Sequence, residues 1–151
     1  MSAKHILIGT IAGGGTVFLT GVALFAAPPL REFYRYAMNA GAATGVPRES
    51  PLLWAVLLGA LSYGALVTLA IGNRTSPVSI GSGIRTGAVV GFLLWFTANF
   101  MFFGVSHVGS LATTTLDPLL ELVPGAAAGG IVAAILGKVG GPPRASQVHH
   151  G

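Results

Sequence analysis

Few side chains in this chain of 151 residues are placed to bind an ion or move a proton within apolar sequence, and they are Asn99, Asp117 and Glu121. Asp117 and Glu121 are spaced i, i+4, so on a helix they share a face. Two acids on one face can bind a cation or relay a proton. The plainer alternative is a capping acid followed by an interfacial acid. Asn99 continues a four-residue series through Trp95 and is expected to face other helices. There it serves as an interhelical hydrogen-bonding residue or lines a polar path. His107 ends the same apolar stretch and has the chemistry to ligate a metal, a haem or the magnesium of a chlorophyll. Its commoner role is that of a surface hydrogen-bonding residue. His149-His150 is a weak metal pair in a polar tail, and no metal site is expected.

The elements that must position these groups are four uncharged stretches, 6–27, 51–72, 86–106 and 118–137, the last holding Glu121 alone. A helix rises about 1.5 Å per residue, so about 20 residues cross the ~30 Å hydrocarbon layer. The expected fold class is therefore all-α: an integral membrane bundle of four transmembrane helices spanning 1–139, with a flexible tail over 140–151. After the first span, Pro28-Pro29 ends the helix. Leu30, Phe33, Tyr34, Ala37 and Met38 then lie on one side, with Arg31, Glu32, Arg35 and Asn39 on the other. This predicts a short interfacial amphipathic helix that caps the bundle or lies in the headgroups. Asp117-Pro118 reads as N-cap and first helical residue of span four. Pro124, inside that span, predicts a kink near 120–124. The first stretch is too long for the apolar core of a signal peptide and is interrupted by Gly13-Gly14-Gly15, so it reads as a retained span.

Composition narrows the function classes. Charged residues make up 8% of the chain and hydrophobic ones 52%, too few charges to cover the surface of a soluble domain. The net charge is +4, but the basic residues stand singly at the ends of apolar runs, where they anchor to headgroups, and nucleic acid is not an expected partner. With no cysteine, disulfides, thiolate metal sites and Cys nucleophiles are excluded. Nucleophile-elbow, zincin, Walker and Rossmann motifs are missing, so no enzyme and no catalytic residue is expected.

Small residues recur every four positions. Gly9 and Gly13 lie in the first span, Ala60, Gly64 and Thr68 in the second, Gly83, Gly87 and Gly91 at the start of the third, and Gly125, Gly129, Ala133 and Gly137 in the fourth. In lipid, helices associate by close contact, and small residues let backbones approach. These faces serve packing inside the bundle or an interface with another subunit or a second copy. The third span also carries Phe92, Trp95, Phe96, Phe100, Phe102 and Phe103, which face lipid, fill gaps, or line a bound lipid tail or pigment. No cofactor is required.

Lys4, Arg74, Arg85, Lys138 and Arg144 fall on the side of the termini, against Arg31, Arg35 and Arg48 on the other. The bias favours cytoplasmic termini. The run Gly9–Gly14 with Phe33-Tyr34, then Gly87–Gly91, Phe103-Gly104, Leu116–Leu119, Gly129-Gly130 and Leu136–Lys138, resembles a family of small uncharacterised four-span bacterial membrane proteins. The resemblance covers most of residues 6–138 and implies a four-span fold in a bacterial inner membrane. It carries over no activity and no site residues. Asn99 stands where such proteins carry an acid, which argues against proton relay. The expected function is a non-catalytic accessory or scaffolding subunit that packs its glycine faces within a larger respiratory or photosynthetic membrane complex. The alternatives are a small transporter or channel using Asn99, Asp117 and Glu121, and a pigment- or lipid-binding protein.

Overall fold

The computed structural model describes residues 1–39, 52–73, 78–105 and 110–139. Arg48, Glu49, Arg74, His107, Arg144, His149, His150 and the tail over 140–151 lie outside the described residues. The elements are all helical: α1 (Ala3–Ala26), α2 (Pro28–Asn39), α3 (Leu53–Gly72), α4 (Ile80–Val105), α5 (Leu111–Leu120) and α6 (Leu122–Val139). Four stretches are long and apolar enough to cross a membrane: Ala3–Ala26, Leu53–Gly72, Ile80–Val105 and Leu111–Lys138. The fold is an all-α four-helix bundle, with α5 and α6 together forming the fourth span.

Two antiparallel glycine seams hold the bundle. In the first, α1 lies against α3. A Cβ on Gly13 would sit 3.3 Å from Gly64 Cα, and one on Gly64 would sit 2.7 Å from Gly14 Cα. Gly9 faces Thr68, whose hydroxyl donates to its own helix at the Gly64 carbonyl, 2.7 Å away. In the second, α4 lies against α6, with Gly83 facing Gly129 and Ala133, and Gly87 facing Gly125 and Gly129. Each step of four residues along one helix meets a step of four in reverse along the other, so the backbones touch turn after turn. Val132 and Gly13 join the seams where α6 meets α1. The buried core is small: Tyr63, Val67, Ile71, Val132, Ala133 and Leu136. Large apolar side chains, Leu7, Leu19, Leu53, Trp54, Val89 and Phe102 among them, point outward. Soluble domains bury such residues; this bundle buries glycine and presents leucine, which suits a hydrocarbon solvent.

Two helices start six or more residues before their apolar runs. α4 begins at Ile80 and carries the exposed Arg85 in its second turn, because Ser79 and Ser82 cap each other. The Ser82 amide donates to Ser79 Oγ and the Ser79 amide to Ser82 Oγ, both at 3.2 Å. The fourth span corrects the sequence expectation. Asp117 is not an N-cap, and the helix starts at Leu111. Ser110 caps it, accepting from the Thr113 amide at 3.2 Å while its own amide donates to Thr113 Oγ1 at 3.1 Å. Thr114 and Thr115 turn their hydroxyls back onto helix carbonyls, so a polar stretch that reads as a loop is satisfied within a helix. Pro118 lies inside α5, and the helix is interrupted at Glu121. That interruption falls in the window set by Pro124, whose missing N–H removes one rung of the ladder.

The interruption changes which neighbours the span has. Among the described residues α6 packs on α4, α1 and α3, whereas α5 packs on α4, α6 and α2 and reaches neither α1 nor α3. α2 follows directly after α1, with an exposed Arg35–Glu32 ion pair, and touches α1 and α5.

Candidate functional site

Three elements deliver polar side chains to one level of the bundle. From α4, Asn99 Nδ2 donates to Asp117 Oδ2 across the helix interface at 3.0 Å. From the last turn of α5, Asp117 stacks above Glu121, whose backbone amide donates to the Asp117 carbonyl at 3.0 Å. From α3, Tyr63 reaches toward Gly91 and Gly125 with its hydroxyl, filling a notch that any side chain at either glycine would close. Glu121 and Tyr63 are each 5% exposed. Asp117 Oδ1, Glu121 Oε2 and the Tyr63 hydroxyl are buried without a hydrogen-bond partner.

These groups lie well inside the span. Glu121 is ten residues beyond Leu111, about 15 Å along the helix axis, and Tyr63 is equally far beyond Leu53. A buried polar atom without a partner costs about 1–3 kcal/mol. Three of them together single this level out as the candidate site. Among the described residues no basic side chain answers the acids. The described Lys and Arg residues are all exposed: Lys4 and Lys138 in the terminal turns of their helices, Arg85 in the second turn of α4, Arg31 and Arg35 on α2.

A cleft of about 610 Å³ opens above Glu121, where α5 has left α1 and α3. α1 contributes Val17, Phe18, Gly21, Val22 and Phe25; α3 contributes Val56, Gly59, Ala60 and Tyr63; α4 contributes Leu94, Trp95 and Ala98; Glu121 lies between α5 and α6. The backbones of α1 and α4 are not neighbours, and their side chains face each other across the cleft. Among the described lining residues the walls are apolar, and Tyr63 and Glu121 are the polar features.

The structure thus brings Asn99, Asp117 and Glu121 together and adds Tyr63, which the sequence reading did not select. A signal was available: Tyr and Trp ordinarily gather at membrane interfaces, and Tyr63 is in mid-span between apolar runs. The glycines expected to form a packing interface, Gly9, Gly13, Gly64, Gly83, Gly87, Gly91, Gly125 and Gly129, are buried against this same chain, and Gly137 is exposed near Val78. On α4, Trp95 lines the cleft while Phe92, Phe96 and Phe100 form a ring ladder, with centroids 5.5 and 4.4 Å apart. No three His, Cys, Asp or Glu side chains among the described residues are grouped to hold a metal ion. Compared with protein-family models, curated proteins and solved structures, the chain matches none.

Proposed function

We propose that this multi-pass membrane protein is a small carrier in which Asp117 and Glu121 take up and release a cation, a proton in the simplest case. The observation that carries this reading is the set of unpartnered oxygens on Asp117, Glu121 and Tyr63 within the spans, with no basic side chain beside them among the described residues. Asn99 acts as a positioning residue: its amide holds one Asp117 oxygen and leaves the other free for the transported ion. The chemistry is binding and release, with no covalent step. In the bacterial inner membrane that the family resemblance implies, the end bearing Lys4, Arg85 and Lys138 faces the cytoplasm.

The scaffolding role has less support. It asks the glycine faces to meet another subunit, and those faces are occupied inside the bundle. What remains outside is Leu, Ile, Val, Phe and Trp, a surface that acyl chains cover as well as protein does. Co-purification with a larger complex in mild detergent is the result that would restore it.

The test of the carrier is proton uptake into proteoliposomes driven by a potassium diffusion potential and read by an internal pH dye. Wild-type protein is expected to exceed protein-free vesicles, and Asp117→Asn and Glu121→Gln to abolish the excess. Asn99→Leu, which disturbs one carboxylate oxygen, is expected to reduce it. Uptake unchanged in all three variants would sink the proposal.

A further inference from the structure

We infer that the cleft between α1, α3 and α4 binds a lipophilic organic cation, an apolar or aryl body carrying one positive charge, with the charge directed at Glu121. This rests on the carrier reading and names a substrate class for the same site.

The cleft has the size of a small-molecule pocket: its 610 Å³ falls within the ~300–1,000 Å³ typical of such sites. Its composition selects the occupant. Two side chains on its wall, Tyr63 and Glu121, are more than nine-tenths buried, and Glu121 Oε2 and the Tyr63 hydroxyl lie without partners just behind that wall, the hydroxyl turned to Gly91 and Gly125. An acyl chain or sterol would cover the apolar wall and leave the carboxyl unpaired. An anion would meet Glu121, with Asp117 one turn away and no cationic side chain among the described lining residues. A hard inorganic cation needs about six oxygen ligands, and the lining offers one carboxyl and one phenol. A cation clothed in carbon needs only one counter-charge, apolar walls and aromatic faces. The cleft supplies all three, with Phe18, Phe25, Tyr63 and Trp95 among its lining residues. The cleft lies between membrane-spanning helices, in the layer where lipophilic cations concentrate.

The experiment is equilibrium dialysis of tetraphenylphosphonium against the full chain in mild detergent. Saturable binding is expected, weakened at least 10-fold by Glu121→Gln. A second variant acts on shape alone. Gly59 lines the cleft, and a Cβ there would meet nothing within 4 Å, so Gly59→Phe is expected to fill the space and weaken binding by a similar factor. Gly15, equally open but away from the cleft, is the control, and Gly15→Phe is expected to bind as wild type does. Triphenylphosphine oxide, neutral and with an oxygen in place of one phenyl group, is expected to compete at least 10-fold more weakly against wild-type protein. No saturable binding, equal competition by the neutral compound, or binding indifferent to both Glu121→Gln and Gly59→Phe would overturn the inference. The outcomes separate the two ideas. Glu121-dependent proton uptake without phosphonium binding removes the inference and leaves the carrier. Phosphonium binding without uptake removes the carrier and leaves the binding site.

Discussion

Asn99 and Asp117 carry the bond that ties α4 to the fourth span at the polar level, and its strength is measurable. Interhelical hydrogen bonds in membranes average about 0.6 kcal/mol and reach about 1.7 kcal/mol. A double-mutant cycle with Asn99→Leu and Asp117→Leu, followed by denaturation in detergent, is expected to give a coupling energy in that range. A value near zero would mean that the two side chains do not support each other. Tyr63→Phe should behave in the opposite way. The hydroxyl it removes is buried and unpartnered, so no bond is lost, and the free energy of unfolding is expected to hold or rise by up to about 1 kcal/mol. A fall would reveal a partner for the phenol. How legible these residues were depended on where their partners lie in the chain. Asn99 stood out because an amide among apolar residues has to find a partner. That partner could not be read, since Asp117-Pro118 imitates a helix start and Ser110 and Thr113 pre-empt it locally. Glu121 was visible as an acid in an apolar run. Its place on a cleft follows from the neighbours α5 lacks, which is long-range information.

At the scale of helices, spacing by four identified the packing faces but not their pairing. Every span has such a face, and only the three-dimensional arrangement reveals that α1 takes α3 and α4 takes α6. The seams differ in tolerance from the open glycines, which gives a sharp contrast in stability. At Gly87 a new Cβ would run into the Gly125 carbonyl and lie 2.8 Å from Gly129 Cα. Both obstacles are backbone, so relief requires the helices to separate. Gly87→Ala is expected to destabilise by about 1–3 kcal/mol, the usual cost of overpacking. At Gly15 and Gly59 nothing lies within 4 Å, and alanine there should stabilise by about 0.5–1 kcal/mol through helix propensity. Unfolding of the three variants in one detergent checks both signs. Equal effects would mean that the seams are looser than their geometry implies. The ends of the helices were less legible than their middles. Ser79 with Ser82, and Ser110 with Thr113, cap helices through side chains that hydropathy counts as loop.

For the whole molecule the decisive property is which way the protein faces and which solvent it is built for. Its exterior is leucine, isoleucine, valine and aromatic rings, and its interior is glycine, so it is stable only where the outside is hydrocarbon. The number of crossings was legible because span length is fixed by the bilayer and not by the partners of each helix. Four crossings place both ends of the helical region on one side. Contacts agree: Met1 lies against Gly72 at the end of α3, and Val78, just before α4, lies against Gly137 near the end of α6. Lys4, Arg85 and Lys138 are therefore at one face, and Arg31, Glu32 and Arg35 are at the other. A chain without cysteine allows clean labelling with a membrane-impermeant maleimide. Ser2, Arg31, Glu32 and Ser79 are all exposed, so single cysteines there report accessibility without disturbing packing. Cysteines at 2 and 79 are expected to react from the same side of sealed vesicles, and those at 31 and 32 from the opposite side. In intact cells the second pair should be the one that reacts, because the basic face with no acid is held on the cytoplasmic side. Reaction of positions 31 and 79 from one side would leave α3 uncrossed. Glu121 and Tyr63 would then no longer lie at mid-membrane, and the cleft would lose the hydrocarbon setting that makes an unpaired carboxyl there a binding site.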